Sequence, residues 1–426
     1  MLLQGRLIDG RGKYLEQAIV EIRSGRIFRV ESGAGVPSVP RLDLGNMTIL
    51  PGLIDAHVHL WGTRTMDYFH RLVVPEEISL LRAAQDLNKL LDVGYTSIRD
   101  AGSRAGIFLR NAVKEGTLRG PRIKTPRLMI NQTGGHMDKH FIPLEEARIK
   151  TVARLADGPD ECRRAVREQF REGADYIKIC VTGGLTGEKE APEETQFSEE
   201  EIKAIVEEAD KKNKKVCAHA QGLKGTRLAL DLGVKFIEHG VFLDEELCEK
   251  MIKKDVILTP TLAISYKLAH EGENYGAPPW AVEKSKRILE THVQSFQLAH
   301  RCGVKMAAGT DFSGAPMVPF GKNAIELELM VKAGYSPMEA IIAATHIGSQ
   351  VLGIDFEVGT IEPGKLADLV IVDGNPLEDI RLLQDETRIR MVIKGGEVSK
   401  SILSAPDFAS RAENDPVGSH GRPENR

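Results

Sequence analysis

The sequence predicts an α/β protein in which a (β/α)8 barrel, also called a TIM barrel, is joined to a small β-sandwich domain. Residues 51–357 alternate short apolar runs with amphipathic helical stretches, and eight of the apolar runs are strand candidates. Eight βα units in roughly 300 residues is the size of such a barrel. Residues 1–50 and 358–403 instead alternate short β-like runs with turns, so we expect one composite sandwich built from both termini.

The terminal segments show the pattern of strands and turns most clearly. Residues 17–22 and 26–30 are β-like runs separated by a glycine, and residues 367–372 and 390–394 are similar runs near the other end. Short runs bounded by turn residues are typical of antiparallel strands. The last segment, residues 404–426, is polar and contains Pro, Gly and Asn, which predicts a disordered tail.

The predicted barrel strands are separated by helical segments, among them residues 75–91, 160–171 and 199–213. Ser198, with Glu201 three residues later, forms a capping box that marks the start of the last of these helices. The strand candidates end near His59, Asp100, Asn131, Val181, His219, His239, Pro260 and Asp311. A doubly wound open sheet uses the same alternation, but candidate ligands at many different strand ends favour the closed rim of a barrel.

The composition limits the classes of partner and location. A formal net charge of -4 over 426 residues gives no basic surface for nucleic acid. No run of 18 or more apolar residues is present, so we expect no membrane segment. The start of the chain lacks the basic and apolar regions of a signal peptide, and its five widely spaced cysteines form no CxxC pair. We therefore expect a cytoplasmic protein without a disulfide framework.

Two histidines two positions apart follow the apolar run at residues 51–56. Side chains alternate between the faces of a strand, so His57 and His59 point the same way. Two imidazoles that converge from one strand end are half of a metal site. A single strand-end histidine is more often a packed side chain, so this interpretation needs further ligands.

Four later strand candidates supply those ligands in order: Lys178, His219, His239 and Asp311. All of them would project to the C-terminal rim, where barrel enzymes hold their sites. Four imidazoles and one carboxylate suit zinc or a similar divalent metal, and they exceed what one catalytic metal usually binds. We therefore expect two metals in this site.

Lys178 lies inside an apolar strand, where a charged ammonium is costly to bury. A neutral lysine amine can react with carbon dioxide to give a carbamate, which is an anionic ligand with two oxygens. We therefore hypothesise that carboxylated Lys178 bridges the two metals. Cys180 and Cys217 share faces with Lys178 and His219, and we interpret them as small core residues.

These residues resemble the amidohydrolase superfamily, and the resemblance covers residues 1–403. The matching motifs are residues 51–59, the strand with Lys178, His219, residues 238–240, residues 309–311 and residues 359–370. The resemblance implies a metal-dependent (β/α)8 barrel with a small β-sandwich from both termini.

Two details are similar to the group that contains Xaa-Pro dipeptidases (prolidases), Arg/Lys carboxypeptidase-like enzymes and ochratoxinase-type amidases. They are residues 181–184 after Lys178, and residues 196–198 at the start of the next helix. The resemblance implies that this lysine is carboxylated and bridges two zinc ions, and that the chain forms a homo-oligomer, such as an octamer. It divides the ligands as follows: His57, His59 and Asp311 for the first metal, His219 and His239 for the second, and Lys178 for both.

The resemblance also implies a reaction. It is hydrolysis of the amide bond of dipeptides or N-acyl amino acids by a metal-bridging hydroxide, with Asp311 accepting its proton and passing it to the leaving amine. His136 matches a histidine that contacts the substrate carbonyl, although a loop histidine that caps backbone groups is the alternative. Gln221 is a departure, because the dipeptidases often have an aromatic residue near the substrate there.

The loop after Lys178 carries two features with open interpretations. Gly183 and Gly184 could present backbone N–H groups to a substrate carboxylate. The acidic stretch within residues 185–195 could attract a basic substrate side chain, but a solvated mobile lid is the simpler interpretation.

Two other functions compete with amide hydrolysis of small molecules or peptides. Hydrolysis of a cyclic amide of the imidazolone type fits the same terminal motifs, but such enzymes tend to use one metal without a lysine bridge. A catalytically silent assembly protein on the same fold is more remote, since such relatives usually lose ligands and here all six positions are filled.

Overall fold

The computed structural model describes residues 1–33 and 41–403, so the predicted tail at residues 404–426 lies outside the described residues. The strands are β1 (Leu2–Ile8), β2 (Tyr14–Arg23), β3 (Arg26–Ser32), β4 (Leu42–Pro51), β5 (Leu53–Val58), β6 (Tyr95–Asp100), β7 (Arg122–Lys124), β8 (Met129–Asn131), β9 (Ala153–Leu155), β10 (Ile177–Cys180), β11 (Val216–Ala220), β12 (Phe236–His239), β13 (Ile257–Thr259), β14 (Leu369–Asp373), β15 (Ile389–Lys394) and β16 (Glu397–Ser401).

The α-helices are α1 (Tyr68–Val73), α2 (Glu76–Asp92), α3 (Gly106–Glu115), α4 (Leu144–Lys150), α5 (Pro159–Arg171), α6 (Glu199–Asp210), α7 (Leu223–Asp231), α8 (Glu245–Lys253), α9 (Leu262–Glu271), α10 (Pro279–Cys302), α11 (Ile325–Lys332), α12 (Pro337–Ile342) and α13 (Gly348–Leu352). Short 3₁₀ helices span Glu273–Tyr275 and Ile380–Gln384, and a π-helical turn spans Ala343–Ile347. None of the described helices is both long and apolar enough to cross a membrane.

Strands from both terminal segments form one mixed sheet in the order β16-β15-β14-β4-β1-β2-β3. β4 pairs parallel with β1 on one edge and antiparallel with β14 on the other, where Leu50 lies opposite Val370. Because β4 is hydrogen-bonded on both edges, strands from the two ends of the chain form one continuous hydrogen-bonded sheet. An apolar cluster that includes Leu3, Ile49 and Ile371 packs within this unit.

The middle of the chain forms parallel strands connected by helices. One sheet has the order β13-β12-β11-β10-β8-β9, and a second has the order β5-β6-β7. The pairings β10–β11, β11–β12 and β12–β13 are all parallel, as are β5–β6 and β6–β7. This arrangement is consistent with a TIM-barrel-like fold, and it places the carboxyl ends of these strands at a common edge.

Residues 305–312 connect these two sheets. The N–H of Ala307 donates to the carbonyl of Leu258 in β13, and the N–H of Ala56 in β5 donates to the carbonyl of Ala308, both at 2.9 Å. The eighth predicted strand is present here as isolated parallel bridges, Leu258 with Met306 and Val58 with Phe312, and not as a regular strand. Gly309 allows this segment to lie close to β5, because a Cβ atom there would lie 2.9 Å from the backbone nitrogen of His57.

Several helices pack against the parallel strands, and α6, which contacts β11, illustrates the local rules. The side chain of Ser198 accepts from the N–H of Glu201, and the carboxylate of Glu201 accepts from the N–H of Ser198 at 2.6 Å. The predicted capping box is therefore confirmed. Ile202 and Ile205 are fully buried on the inner face, at the spacing of one helical turn.

Candidate metal centre

His57 and His59 stand at the carboxyl end of β5, and both are buried. Nδ1 of His57 is hydrogen-bonded to the carboxylate of Glu238, and Nδ1 of His59 lies 3.0 Å from the carbonyl oxygen of Gly102. A ring nitrogen that faces such an acceptor carries the proton, so Nε2 of each ring keeps its lone pair. These outer hydrogen bonds orient both rings as metal ligands.

Asp311 completes a cluster with these two rings. Its Oδ1 atom lies 3.1 Å from Nε2 of His59 and 3.5 Å from Nε2 of His57. One ligand atom from each of the three residues lies within 4.8 Å of the others. Two ligand atoms bound to the same zinc ion are separated by a similar distance, because each metal–ligand bond is about 2.0–2.2 Å long.

Two residues of the site have strained backbones. Asp311 has φ = 59° and His239 has φ = 73°, in the left-handed region that favours glycine. Such a conformation costs about 1–3 kcal/mol and persists only where the surroundings hold it. The N–H of Asp311 donates to the carbonyl of His57 at 2.7 Å, which is one of the contacts that hold it.

His219 on β11 and His239 on β12 form a second pair, with ring centroids 4.5 Å apart. Nε2–H of His219 donates to the carbonyl of Gly183 at 3.0 Å, and Nδ1 of His239 lies 2.8 Å from the hydroxyl of Thr261. The carbonyl can only accept, so His219 keeps Nδ1 as a ligand, whereas the contact with Thr261 orients the His239 ring. The His239 ring lies 5.2 Å from that of His57, so the two groups adjoin.

Lys178 lines a cavity of about 70 Å³ together with all four histidines and Asp311. Its Nζ atom is buried and has no hydrogen-bond partner among the described residues. An isolated buried ammonium is costly, whereas an anionic carbamate between two cations would be stabilised. Neutral imidazoles, a carboxylate and this unpartnered amine make a donor set that fits divalent metal.

Electrostatics keeps the candidate ligands in states that bind metal. Burial lowers the pKa of His57 to about 4. Burial also lowers the pKa of His219 and of His239 well below the ordinary value, so these rings are neutral at pH 7. Burial disfavours the charge of Asp311, but the neighbouring imidazoles outweigh it and lower the pKa of this carboxyl to about 2.

Glu238 is a fully buried carboxylate to which the sequence analysis gave no role of its own. It accepts hydrogen bonds from His57, from the guanidinium of Arg99 and from the thiol of Cys217, the last at 2.8 Å. Burial opposes its charge, but Arg99 outweighs it and lowers the pKa of Glu238 well below the ordinary value. Its position inside the apolar strand β12 was the signal that could have identified it.

His136 reaches the same cavity from the loop after β8, and its ring stacks on that of His219 with centroids 4.1 Å apart. Its Nδ1 atom lies 2.6 Å from Oε1 of Glu190. Burial disfavours the charge of Glu190, but His136 lowers the pKa of this carboxyl to about 2. His136 is therefore paired with an ionised carboxylate, and it is not a loop histidine that caps backbone groups.

Glu190 belongs to the acidic stretch that the sequence suggested was a solvated mobile lid. Its side chain is buried instead, and the loop is attached to α10. The indole N–H of Trp280 donates to the carbonyl of Thr186 at 3.2 Å, and the ammonium of Lys284 donates to the carbonyls of Gly187 and Glu190. No pattern in the sequence indicated which acidic residue would turn inward.

Gly183, Gly184 and Gln221 are the remaining predicted substrate contacts. The N–H of Gly183 donates to the carbonyl of Glu194 at 3.0 Å, so it is not free to bind a substrate carboxylate. Gly184 packs against the site, and a Cβ atom there would lie 2.3 Å from Cε1 of His136. Gln221 is buried, its Oε1 lacks a partner among the described residues, and it is not among the residues that line the metal cavity.

Comparison with known proteins gives the family. Residues 48–399 match the Amidohydrolase family. Ochratoxinase from Aspergillus niger is 34% identical over 426 aligned residues, which cover 94% of this chain and 86% of ochratoxinase. A solved prolidase complexed with N-methylphosphonate-L-proline is 34% identical, with a TM-score of 0.86 over 94% of this chain and 99% of that chain. A solved Xaa-Pro dipeptidase with bound methionine is 32% identical, with a TM-score of 0.84 and the same coverage. The resemblance seen in the sequence is confirmed, and the chain belongs to the amidohydrolase family.

Proposed function

We propose that this chain is a binuclear metal-dependent hydrolase that cleaves the amide bond of dipeptides or N-acyl amino acids. The observation that carries the proposal is the convergence of four imidazoles, one ionised carboxylate and an unpartnered lysine amine on one cavity. Similarity to ochratoxinase and to prolidases supports an amide as the substrate. We further propose a closed (β/α)8 barrel over residues 51–357, with residues 1–50 and 358–403 forming the β domain.

The ligands would be divided between two sites. His57, His59 and Asp311 would hold one zinc ion, His219 and His239 the other, and carboxylated Lys178 both. Divalent metals bound there would activate water and polarise the substrate carbonyl.

The chain's own residues would orient the substrate and move the proton. Asp311 is ionised at neutral pH and lies at the edge of the cavity, so it can accept a proton from water and return it to the leaving amine. His136 donates through Nδ1 to Glu190, which leaves Nε2 for the substrate carbonyl oxygen. Donation from Nε2 to an oxyanion requires a proton on both ring nitrogens, and Nδ1–H already donates to Glu190.

A hydrolysis screen tests the proposal. The zinc-loaded protein, grown with bicarbonate, is assayed against Xaa-Pro, Xaa-Arg and Xaa-Lys dipeptides, N-acyl amino acids, ochratoxin-like amides and cyclic amides. Metal is counted in the same sample, and the His219→Asn variant is the control. Hydrolysis of a linear amide with about two metals per chain would support the proposal. Two metals with hydrolysis of cyclic amides alone would contradict the substrate class, and no stoichiometric metal would contradict the site.

The subunit count and location are further parts of the proposal. The resemblance supports a homo-oligomer, and light scattering after size-exclusion chromatography would measure its mass. Five widely spaced cysteines without a CxxC pair support a cytoplasmic location. A monomer at micromolar concentration would contradict the oligomer.

A further inference from the structure

A groove of about 730 Å³ adjoins the metal cavity. The two share a wall, because five residues line both spaces: Trp61, Tyr68, Arg71, Met137 and Thr186. A ligand with its reactive group among the metal ligands would therefore have its neighbouring atoms against this wall.

Arg71 is the cation of the shared wall. Its Nε–H donates to the carbonyl of Thr65 at 3.1 Å, and its guanidinium carbon lies 4.8 Å from the ring centroid of Tyr68 and 5.5 Å from that of Trp61. These contacts hold the guanidinium in place without neutralising it. No carboxylate of the described chain lies within ion-pair distance of Arg71.

Lys139 is a second cation beside the same aromatic ring. Its ammonium lies 5.3 Å from the ring centroid of Tyr68, and the residue lines the groove. It has no ion pair with any described carboxylate. Burial lowers the pKa of Lys139 to about 8, although Glu190 acts in the opposite direction. A nearby anion would therefore favour its charged form.

Three other cationic side chains that line the groove are paired with carboxylates, unlike Arg71 and Lys139. Arg64 pairs with Asp86 at 2.8 Å, Arg104 with Glu76 at 3.3 Å and Lys150 with Glu146 at 2.9 Å. Arg82 also lines the groove without a described carboxylate partner, but it does not line the metal cavity. Unpaired positive charge therefore meets the metal cavity at Arg71, and Lys139 lies in the groove beside the same Tyr68 ring, which lines both spaces.

We propose that Arg71 and Lys139 form an anion-binding subsite that takes the carboxylate of the substrate and so selects amides with a carboxylate beside the scissile bond. This inference rests on the proposed amide hydrolysis, and it names the specificity determinants of that site. A guanidinium matches a carboxylate geometrically with two donors, and the ammonium adds a point charge. The backbone of Gly183, which the sequence suggested for this task, is already hydrogen-bonded to Glu194.

Paired substrates test the subsite. The best linear acid substrate and its C-terminal carboxamide are compared in wild type, Arg71→Met, Arg71→Lys, Lys139→Met and the control Arg82→Met. Removing one charged hydrogen bond should lower kcat/KM for the acid about 10- to 150-fold, mainly through KM. The carboxamide should change less than about threefold, since it makes no such bond. Arg71→Lys should recover part of the loss.

Binding to the metal-free protein supplies a readout that does not need hydrolysis. Calorimetry with N-benzoyl-L-phenylalanine should give a Kd at least about tenfold higher in Arg71→Met than in wild type or Arg82→Met. Equal Kd values for wild type, Arg71→Met and Arg82→Met would overturn the proposed subsite. So would equal kcat/KM values of the wild-type enzyme for the acid and its carboxamide. The two proposals can fail separately. If Arg71→Met binds the ligand more weakly but the wild-type enzyme hydrolyses no amide, the subsite is supported and the proposed reaction is contradicted. Thermal unfolding checks that each variant is folded.

Discussion

Oε1 of Glu190 lies 2.6 Å from Nδ1 of His136, and this hydrogen bond joins the acidic loop to the loop after β8. The same oxygen accepts from the N–H of Gly187 at 3.0 Å, while Lys284 holds the carbonyls of this loop from α10. The carboxylate is thus fixed before a substrate arrives. Because His136 stacks on His219, this bond also connects the loop to a candidate metal ligand.

Glu190→Gln should lower kcat about 10- to 100-fold and leave metal content unchanged, because the amide cannot supply the negative charge behind His136. Steady-state kinetics with metal analysis measure both effects. Glu188→Gln is the matched control, since Glu188 lies in the same loop but is exposed. His136→Ala should also lower turnover with metal intact. If the effects of Glu190→Gln and His136→Ala were additive, the two residues would not act as a unit.

Lys178→Met should separate metal binding from folding. The change removes a buried amine that has no described hydrogen-bond partner, so the metal-free protein should become about 1–3 kcal/mol more stable. The same variant should lose stoichiometric metal. Urea unfolding and metal analysis make the two measurements, with the exposed Lys203→Met as control. A metal-free variant less stable than wild type would contradict the account of Lys178 as an unsatisfied group.

Glu238→Gln should destabilise the protein by about 3–5 kcal/mol, because it leaves the buried guanidinium of Arg99 without its carboxylate. The double variant with Arg99→Met should recover much of that loss, since both charges are then absent. Urea unfolding of the metal-free proteins compares them. A double variant no more stable than Glu238→Gln would show that the ion pair is not the cause.

The buried carboxyl of Glu326 should make the free energy of unfolding depend on pH. Burial raises the pKa of this carboxyl to about 8 from an ordinary value of 4.5, although the N–H groups of Leu262 and Ala263 act in the opposite direction. Between these two values the folded state binds more protons than the unfolded state. The free energy of unfolding therefore falls as pH rises from about 4.5 to about 8, by up to about 1.4 kcal/mol per pH unit.

The Glu326→Gln variant isolates this contribution. Urea unfolding of the metal-free proteins at pH 5 and pH 8 should show wild type losing stability relative to the variant at the higher pH. A difference that stays constant between the two pH values would show that Glu326 is already ionised in the folded protein at pH 5.

Local sequence determined the features that depend on short-range periodicity. Residues two apart on a strand share a face, which predicted that His57 and His59 point the same way. The spacing of Ser198 and Glu201 predicted the start of α6. Parallel strands place their carboxyl ends at one edge, so the order of strand-end residues predicted that Asp311 would meet the two histidines, as the structure shows.

Contacts between segments far apart in the chain could be identified only from the tertiary structure. Glu190 is 54 positions from His136, and Glu238 is 181 positions from His57, so no local pattern links either pair. The continuous terminal sheet likewise depends on β4 pairing with β14 from the other end of the chain. The sequence by itself determined which strands end in candidate ligands. The tertiary structure decided which carboxylates orient them and which cations stay unpaired, because those outcomes depend on packing between segments far apart in the chain.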